Sequence, residues 1–345
     1  MMKPSITDLT PQEMADALEL QGFQGRQIFR WIHKKQTFDF EKMSDLSKEL
    51  RARLPEVFST NRLEVIHISK SNQARGTKKA LFKLHDGETV ESVLIPAKDR
   101  VTICLSTQVG CAVKCSFCAT GHSGYTRNLS AGEIVEQALH LLATEKLGER
   151  TPNIVFMGMG EPFRNYENTL KAIHLLKDGH GLKIGARKIT VSTAGEVKGI
   201  RRFAQDGGQV RLSVSLHAAN NKLRDELVPL NRKFPIEMLM DAITEYTKVT
   251  GRQITFEWTL LNNVNDSFKD ASELITLARQ VNAFVNLIPY NPVQELGYEP
   301  PSGNRCFKFH EFLEKAGINA TLRTERGQDI DAACGQLRRR LAPVG

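Results

Sequence analysis

The stretch VTICLSTQVGCAVKCSFCATG, residues 101–121, runs from an apolar segment into three closely spaced cysteines. The segment that begins at Val101 is rich in β-branched and apolar residues, which is typical of a strand. Cys111, Cys115 and Cys118 follow it in the spacing C-x3-C-x2-C. In a chain with too few cysteines for a disulfide scaffold, such crowding indicates metal or redox chemistry. The sequence therefore predicts a metal site in a loop directly after a strand.

Strand and helix patterns alternate from this stretch to residue 323. Predicted strands cover residues 101–107, 153–159, 187–193, 209–217, 252–260, 283–290 and 318–323, with helical stretches between them such as 130–145 and 168–177. This alternation predicts an α/β fold with a parallel sheet built from βα units. About six units are too few for a complete eight-stranded barrel, so we expect a partial (β/α)6 barrel with its site at the carboxyl ends of the strands.

Two regions precede this core, which we assign to residues 100–345. Apolar residues recur at helical spacing between residues 10 and 54, which predicts an N-terminal helical module over residues 1–60. Three strand-like runs separated by turn residues predict a small antiparallel β extension over residues 61–99.

The composition is that of an ordinary globular protein, with 41% hydrophobic and 25% charged residues. No window approaches the roughly 18 consecutive apolar residues that span a membrane, and the first residues lack the apolar core of a signal peptide. We therefore expect a cytoplasmic protein without a membrane partner. The net charge of +8 favours a polyanionic partner, with nucleic acid as the leading class.

The basic surplus has two candidate locations. The stretch GRQIFRWIHKK, residues 25–35, is either a basic and aromatic nucleic-acid surface or a core around Phe29 and Trp31 with a solvated basic side. The second location is the run of Arg338, Arg339 and Arg340.

Two kinds of metal site fit the three cysteines. Three thiolates leave one position of a 4Fe-4S cluster open for chemistry, whereas a structural cluster or zinc ribbon normally uses four protein ligands. Zinc is the alternative because His122 follows Cys118 by four positions and completes C-x3-C-x2-C-x3-H, a plausible Cys3His site. Phe117 could shield a cluster from water. The loop alone leaves both sites open.

Several further motifs, taken together, resemble the RlmN family of radical S-adenosylmethionine (SAM) RNA methyltransferases. They are GMGEP at residues 158–162, SLH at 215–217, YNP at 290–292 and DIDAACGQL at 329–337, together with RQIFRWI and SDLSKELRARL in the helical module. The resemblance spans nearly the whole chain. It implies a radical SAM barrel in which the three cysteines hold one 4Fe-4S cluster per chain, with SAM bound beside it.

The resemblance also implies the residues of a SAM site. They are Gly160, Glu161, Ser192, Ser215, Leu216, His217 and Asn291. Most of them end predicted strands, where parallel α/β sheets bind their ligands. Taken singly, several also have a structural explanation, since Ser192 could cap a helix, Asn291 could set a turn and His217 could be a core histidine.

Three catalytic residues follow from the same resemblance. Cys334 would carry the methyl group as S-methylcysteine, Cys104 would resolve the covalent RNA intermediate through a transient disulfide with Cys334, and Glu91 would accept a proton. By position alone, Cys104 is an apolar strand residue of the core. Cys306 matches no motif of the family, and we expect it in the core. Cys334 lies in a small-residue turn with little apolar context, and Glu91 alternates with apolar neighbours as a solvent-facing strand residue does.

The implied activity is methylation of adenine at C2 in 23S ribosomal RNA and in transfer RNA, with two SAM molecules consumed per methylation. An electron donor such as flavodoxin or ferredoxin would reduce the cluster, and we expect a monomer. Two alternatives stay open. One is a Cfr-type enzyme that methylates C8 with the same cysteines, and the other is a zinc-stabilised RNA-binding protein without catalysis.

Overall fold

A computed structural model describes residues 3–60, 63–72, 76–145, 151–293, 295–323 and 327–337. Within these ranges the helices are α1 (Pro11–Ala17), α2 (Gly22–His33), α3 (Lys48–Val57), α4 (Ala119–His122), α5 (Ala131–Ala143), α6 (Tyr166–Lys177), α7 (Val197–Asp206), α8 (Asn221–Leu227), α9 (Ile236–Thr250), α10 (Phe268–Gln280) and α11 (Gly303–Lys315). The strands are β1 (Glu64–Lys70), β2 (Lys78–Lys83), β3 (Thr89–Pro96), β4 (Val101–Cys104), β5 (Gln108–Gly110), β6 (Tyr125–Asn128), β7 (Asn153–Phe156), β8 (Ile189–Thr193), β9 (Arg211–Ser215), β10 (Thr255–Leu260), β11 (Phe284–Pro289) and β12 (Ala320–Leu322).

Ten of these strands form one sheet, in the order β1-β2-β3-β4-β7-β8-β9-β10-β11-β12. Strands β1 to β4 pair antiparallel, and every pair from β4 to β12 is parallel. Helices follow β4, β7, β8, β9, β10 and β11 before the next parallel strand, which makes six βα units. The expected α/β fold with a partial barrel is confirmed. The β extension continues the barrel sheet, because β3 pairs directly with β4.

The two faces of this sheet differ in chemistry. Neighbouring residues in the register point to the same face, and side chains alternate along each strand. Buried apolar residues such as Ile154, Val191 and Phe256 occupy one face. We call the other the polar face, and its register brings these residues together in strand order: Glu91, Cys104, Ser192, Ser213, Ser215, Glu257, Asn286 and Thr321.

The N-terminal module packs helices α1 to α3 around their own apolar side chains and joins the barrel through a buried carboxylate. Thr10 and Glu13 form a capping box that starts α1. Glu136 of α5 accepts hydrogen bonds from the Thr7 hydroxyl and, at 3.0 Å, from the backbone N–H of Leu63. The module and the strand that follows it are thereby tied to the same helix of the core.

The basic stretch of α2 is not an aromatic RNA-stacking surface. Phe29, Trp31 and His33 are buried, and Phe29 stacks on His33 with ring centroids 3.9 Å apart. The cations at positions 26, 30, 34 and 35 are exposed, and Lys35 Nζ lies 3.1 Å from the centroid of the Trp31 ring. The aromatic side chains of this segment therefore belong to a core, while its cations stay accessible to solvent.

In the parts of the chain that the structure describes, no helix is long and apolar enough to cross a bilayer.

Candidate active site around the cysteine loop

The three cysteines lie in a loop between β5 and α4, inside a hairpin that sequence patterns had not predicted. Strands β5 and β6 pair across this loop, and the Cys111 N–H donates to the carbonyl of Gly124 at 2.8 Å. Gly110 has φ +76°, and a Cβ there would lie 1.7 Å from the Gly124 oxygen. Only glycine allows so close an approach of two backbones. The hairpin therefore fixes where the loop leaves the sheet.

Burial keeps the free thiols of this loop protonated. It raises the pKa of Cys111 to about 12 and the pKa of Cys115 well above its usual value. The pKa of Cys118 is also raised by burial. The negative charges of the three sulfurs would repel one another, which contributes to these shifts. Three thiolates held together in such surroundings need a cationic metal centre to be stable.

The surroundings of the loop fit a cluster better than a zinc ion with His122. The His122 side chain is exposed, and its Nε2 lies 3.0 Å from the carbonyl oxygen of Ser116. Among the residues that the structure describes, no three His, Cys, Asp or Glu side chains are placed to share one metal ion. In a 4Fe-4S cluster each thiolate binds a different iron, so its cysteines stand farther apart than the ligands of one zinc. Phe117 is buried beside them and excludes water.

The GMGEP segment follows β7 and packs against the start of the cysteine hairpin. A Cβ at Gly158 would lie 2.6 Å from Ser106 Oγ, and one at Gly160, which has φ +103°, would lie 2.6 Å from Gln108 Cβ. The N–H of Glu161 donates to Gln108 Oε1 at 2.8 Å. Both glycines are therefore required to bring Glu161 against β5.

Glu161 is a buried carboxylate with two backbone donors. Its Oε1 accepts from the N–H of Phe163 at 3.0 Å, and its Oε2 accepts from the N–H of Ala194 at 2.7 Å. Burial raises its pKa to about 7, although these hydrogen bonds favour the anion. The negative charge of Glu161 raises the pKa of both Cys111 and Cys115. A cationic ligand group beside the cysteine loop would find its anionic partner here.

Strands β8 and β9 end in the next group of predicted residues. Ser192 Oγ and Ser215 Oγ lie 3.4 Å apart across the two strands. The Leu216 side chain is fully buried, so only its backbone could face a ligand. His217 has φ +58°, and its Nδ1 accepts from the Thr259 N–H at 3.0 Å.

His217 is a neutral imidazole in this position. Burial lowers its pKa to about 3, and because Nδ1 accepts a hydrogen bond, the ring hydrogen belongs on Nε2. The ring packs edge-on against Phe117, with centroids 4.8 Å apart. His217 therefore connects the end of β9 with the cysteine loop.

Arg224 of α8 donates hydrogen bonds to the backbone at these strand ends. The sequence patterns did not predict this role. Arg224 is fully buried and donates to the carbonyls of Ala194 at 2.7 Å, Leu216 at 3.1 Å and Ser215 at 3.3 Å. The remaining guanidinium nitrogen donates to Asn231 Oδ1 at 2.9 Å. Its sequence context, NKLRDEL, is that of a surface helix, so one sequence carries no signal for this role.

The segment 327–337, which we call the C-terminal loop, lies against the cysteine loop. The Ala119 N–H donates to the carbonyl of Gly335 at 2.8 Å, and the Thr120 hydroxyl donates to the carbonyl of Leu337. Gln336 Nε2 donates to the Pro292 carbonyl at 3.1 Å.

These contacts bring Cys334 to the YNP motif. Asn291 Nδ2 donates to the carbonyl of Cys334 at 3.5 Å, while the Cys334 side chain is exposed. A negative charge on the Cys334 sulfur raises the pKa of both Cys104 and Cys118. The structure thus brings the predicted Cys334, Cys104 and Asn291 to the same end of the barrel as the cysteine loop.

Cys104 ends β4 on the polar face and is 8% exposed. Burial raises its pKa to about 12, and repulsion from Cys334 acts in the same direction. All six cysteines are free thiols, so the predicted disulfide between Cys104 and Cys334 is not part of this fold. Cys306 is buried in the core, as expected.

Glu91 is not the solvent-facing strand residue that its alternation with valines suggested. It is 1% exposed on β3, between β2 and β4, and its Oε1 lies 3.1 Å from Lys79 Nζ. Lys79 Nζ also donates to the carbonyl of Asp331 at 3.2 Å. Lys79 thus connects Glu91 with the C-terminal loop. The arginines at 338–340 lie outside the described residues.

Two known families match the chain, one in the N-terminal helical module and one in the core. Residues 5–59 match the ribosomal RNA large subunit methyltransferase N-terminal domain, and residues 105–275 match the radical SAM superfamily.

Similar proteins agree with these matches over nearly the full length. The chain is 44% identical over 340 residues to a probable dual-specificity RNA methyltransferase RlmN of Syntrophomonas wolfei. The alignment covers 95% of this chain and 94% of the relative. It is 47% identical over 345 residues to a protein of the same description from Moorella thermoacetica, with 96% of each chain covered. A crystal structure of a radical SAM methyltransferase from Sphaerobacter thermophilus superposes with a TM-score of 0.93 at 45% identity and covers 97% of this chain and 99% of that one.

Proposed function

The chain belongs to the RlmN family of radical SAM RNA methyltransferases, and we propose that it methylates adenine at C2 in 23S ribosomal RNA and in transfer RNA. The observation that carries this proposal is the position of Cys334, which the C-terminal loop holds beside the cysteine loop and near Cys104. We propose that the reaction takes place in the cytoplasm and that the enzyme acts as a monomer.

The chemistry of the target atom explains why several cysteines are needed. C2 of adenine is electron-poor and has no lone pair with which to attack a sulfonium methyl group, so direct polar transfer fails. A thiolate can make that attack. Cys334 would therefore take the methyl group of a first SAM as S-methylcysteine and release S-adenosylhomocysteine.

Cys111, Cys115 and Cys118 would hold the 4Fe-4S cluster. Bound there, the cluster would supply an electron to a second SAM and thereby a 5'-deoxyadenosyl radical, which takes a hydrogen atom from the methyl group on Cys334. The exposed position of Cys334 suits a methylene group that must then reach the C2 atom of an RNA base.

Glu91 and Cys104 would release the product. Glu91 would accept the C2 proton, and one electron would pass back to the cluster that SAM cleavage left oxidised, which leaves the base joined to Cys334 through a thioether. The Cys104 sulfur then attacks Cys334 Sγ and forms the S–S bond, while the pair of the broken S–C bond stays on the methylene carbon and takes up a proton. Reduction of the disulfide restores both thiols. Cys104 and Glu91 share the polar face of the sheet, which supports this division of roles.

The SAM site would lie at the strand ends around the cysteine loop. Glu161 would pair with the SAM ammonium group, because it is a buried carboxylate close to two of the cysteines. His217, with its hydrogen on Nε2, and Asn291 would contact the ribose, base or carboxylate. Gly160, Ser192, Ser215 and the backbone of Leu216 would complete the site.

RNA must present an unstacked adenine, since C2 is inaccessible inside a helix. The exposed cations of α2 would contact the phosphate backbone. Flavodoxin or ferredoxin would supply the electrons.

Nucleoside analysis tests the proposal. Anaerobically reduced enzyme is incubated with SAM and separate ribosomal and transfer RNA transcripts, and the digested nucleosides are separated by mass spectrometry. We expect 2-methyladenosine from both RNAs. Formation of 8-methyladenosine would identify a Cfr-type reaction instead, and purified protein that holds zinc without iron or acid-labile sulfide would rule out the radical reaction.

A further inference from the structure

Lys79 is a buried lysine of the β extension that shares a sheet face with Glu91. Lys79 of β2 is in register with Val93 of β3, and Leu81 is in register with Glu91. The two side chains are therefore diagonal neighbours on one face. Lys79 Nζ lies 3.1 Å from Glu91 Oε1, and the residues are 4% and 1% exposed. A charge buried to this extent needs fixed partners, because an unpaired one is costly to remove from water.

The backbone of Glu91 is held by contacts that do not involve Lys79. Ser106 Oγ donates to the Glu91 carbonyl at 2.6 Å and accepts from the Met159 N–H at 2.8 Å. The Glu91 N–H donates to Met159 Sδ at 3.4 Å. These contacts tie β3 to the GMGEP segment. The sheet and this segment thus place the Glu91 backbone, while Lys79 holds one of its carboxylate oxygens.

A second contact of Lys79 reaches the C-terminal loop. Its Nζ donates to the Asp331 carbonyl at 3.2 Å, three residues before the cysteine that we propose as methyl carrier. Close by, the Asp329 carboxylate accepts from Ser71 Oγ at 2.7 Å and from the Asn72 N–H at 2.9 Å. The β extension therefore holds the first half of this loop, whereas the cysteine loop holds its second half.

We propose that Lys79 is a positioning residue that keeps Glu91 and the loop of Cys334 in one fixed geometry. This inference rests on the roles proposed for Glu91 and Cys334. A base attached to Cys334 has to lie with its C2 hydrogen against the Glu91 carboxylate, so the carboxylate and the loop must be held relative to each other. An ammonium group has three donors, and here one contacts Glu91 and another the loop.

The two halves of the loop therefore serve different steps. Methyl loading of Cys334 depends on the half that the cysteine loop holds, which contains no contact of Lys79. Proton transfer from C2 to Glu91 depends on the half that Lys79 holds. Loss of Lys79 should impair the second step and spare the first.

Hydrogen exchange tests the contact with the loop without any turnover. Lys79→Met keeps the carbon stem but has no donor. The amides of Ile330 and Ala332, which donate to the Gly327 carbonyl, should then exchange about tenfold faster, the effect of losing one hydrogen bond from a charged donor. Lys79→Arg, which keeps a charged donor, should retain the wild-type rates. Lys83→Met, at an exposed lysine of the same strand, is the matched control.

Wild-type exchange of these amides in Lys79→Met would overturn the inference. A second measurement leaves Lys79 in place, for the case in which burial of Glu91 without its cation unfolds that variant. Gln336→Ala loosens the loop from its other half. Acetylation of the Lys79 amine by acetic anhydride, quantified by peptide mass spectrometry, should then rise about fivefold, while that of Lys83 stays constant. Unchanged acetylation of Lys79, in a loop whose amides exchange faster, would also contradict the inference.

Rates of the single steps separate this inference from the proposed function. Lys79→Met should load S-methylcysteine on Cys334 within about twofold of the wild-type rate but form 2-methyladenosine about tenfold more slowly, and Lys79→Arg should recover product formation. Equal losses in both steps would contradict the positioning role. If wild type forms no 2-methyladenosine while exchange and acetylation follow the expected pattern, the link through Lys79 stands and the roles proposed for Glu91 and Cys334 fail.

Discussion

Cys104 and Cys334 lie at the same end of the barrel, but the chain holds them in opposite ways. Cys104 belongs to β4, is paired on both sides by β3 and β7, and is 8% exposed. Cys334 belongs to a loop without regular strands and is exposed. One thiol has a position fixed by the sheet, whereas the other depends on a few hydrogen bonds to the cysteine loop and the YNP motif.

This difference fits the division of labour that we propose for the two thiols. A sulfur that carries a methyl group from a donor to an RNA base has to be accessible and able to move, which a loop allows. A sulfur that acts once, after the base is attached, gains from staying buried and protonated until then. Burial supplies this protection, because it raises the pKa of Cys104 to about 12.

The largest expected effect is all-or-none. Cys104→Ala should accumulate a covalent complex of enzyme and RNA, since the base can attach to Cys334 but no thiol can release it. Cys334→Ala should form no complex. Denaturing gel electrophoresis after incubation with SAM, reductant and RNA measures both, and Cys306→Ala, at a buried cysteine away from the site, is the control.

Normal turnover by Cys104→Ala would contradict the assignment of Cys104 as the resolving thiol. A covalent complex in Cys334→Ala would contradict the assignment of Cys334 as the attachment point.

Sequence patterns predicted most of the fold for a clear physical reason. Each parallel strand is a short apolar run bounded by turn residues, and its helix repeats apolar residues at three and four positions, so both periods are visible in one sequence. The hairpin of β5 and β6 was missed because strands of three and four residues are too short to show alternation.

The electrostatic part of the site could not be predicted in this way. The alternation of Glu91 with valines suggested a solvent-facing residue, but Glu91 is buried on β3, which lies between β2 and β4 in the sheet. Arg224 looks like a solvated cation in the sequence. One of its partners is the carbonyl of Ala194, 30 residues away along the chain, and only the folded structure brings the two groups together.

A second prediction measures the contrast between the two thiols directly. Because burial raises the pKa of Cys104 to about 12, its alkylation by iodoacetamide should increase about tenfold per pH unit up to that value and stay far below that of Cys334 near neutral pH. We expect Cys334 to react at least about a hundredfold faster at that pH. Peptide mass spectrometry quantifies each cysteine, and protein unfolded in urea is the control in which the difference should disappear. Similar rates in folded protein would show that the sheet does not protect Cys104.

The smallest expected effect concerns the loop that holds Cys334. Gln336 is buried and bridges this loop to the barrel, since its Nε2 donates to the Pro292 carbonyl at 3.1 Å and its Oε1 accepts from the Ala333 N–H at 3.2 Å. Gln336→Ala should lower the free energy of opening the loop by about 1 kcal/mol, the usual worth of such a hydrogen bond. Amide hydrogens of residues 327–337 should then exchange about fivefold faster.

The same experiment decides whether loop and sheet open independently. Amides of β4 around Cys104 should keep their exchange rates in Gln336→Ala, because their hydrogen bonds are made to β3 and β7. Gln205→Ala, at an exposed position of α7, is the control and should change neither region. Faster exchange in β4 would mean that the loop protects the sheet, and the two thiols would then become accessible together. Unchanged β4 exchange means that Cys334 can move toward the RNA while Cys104 stays buried.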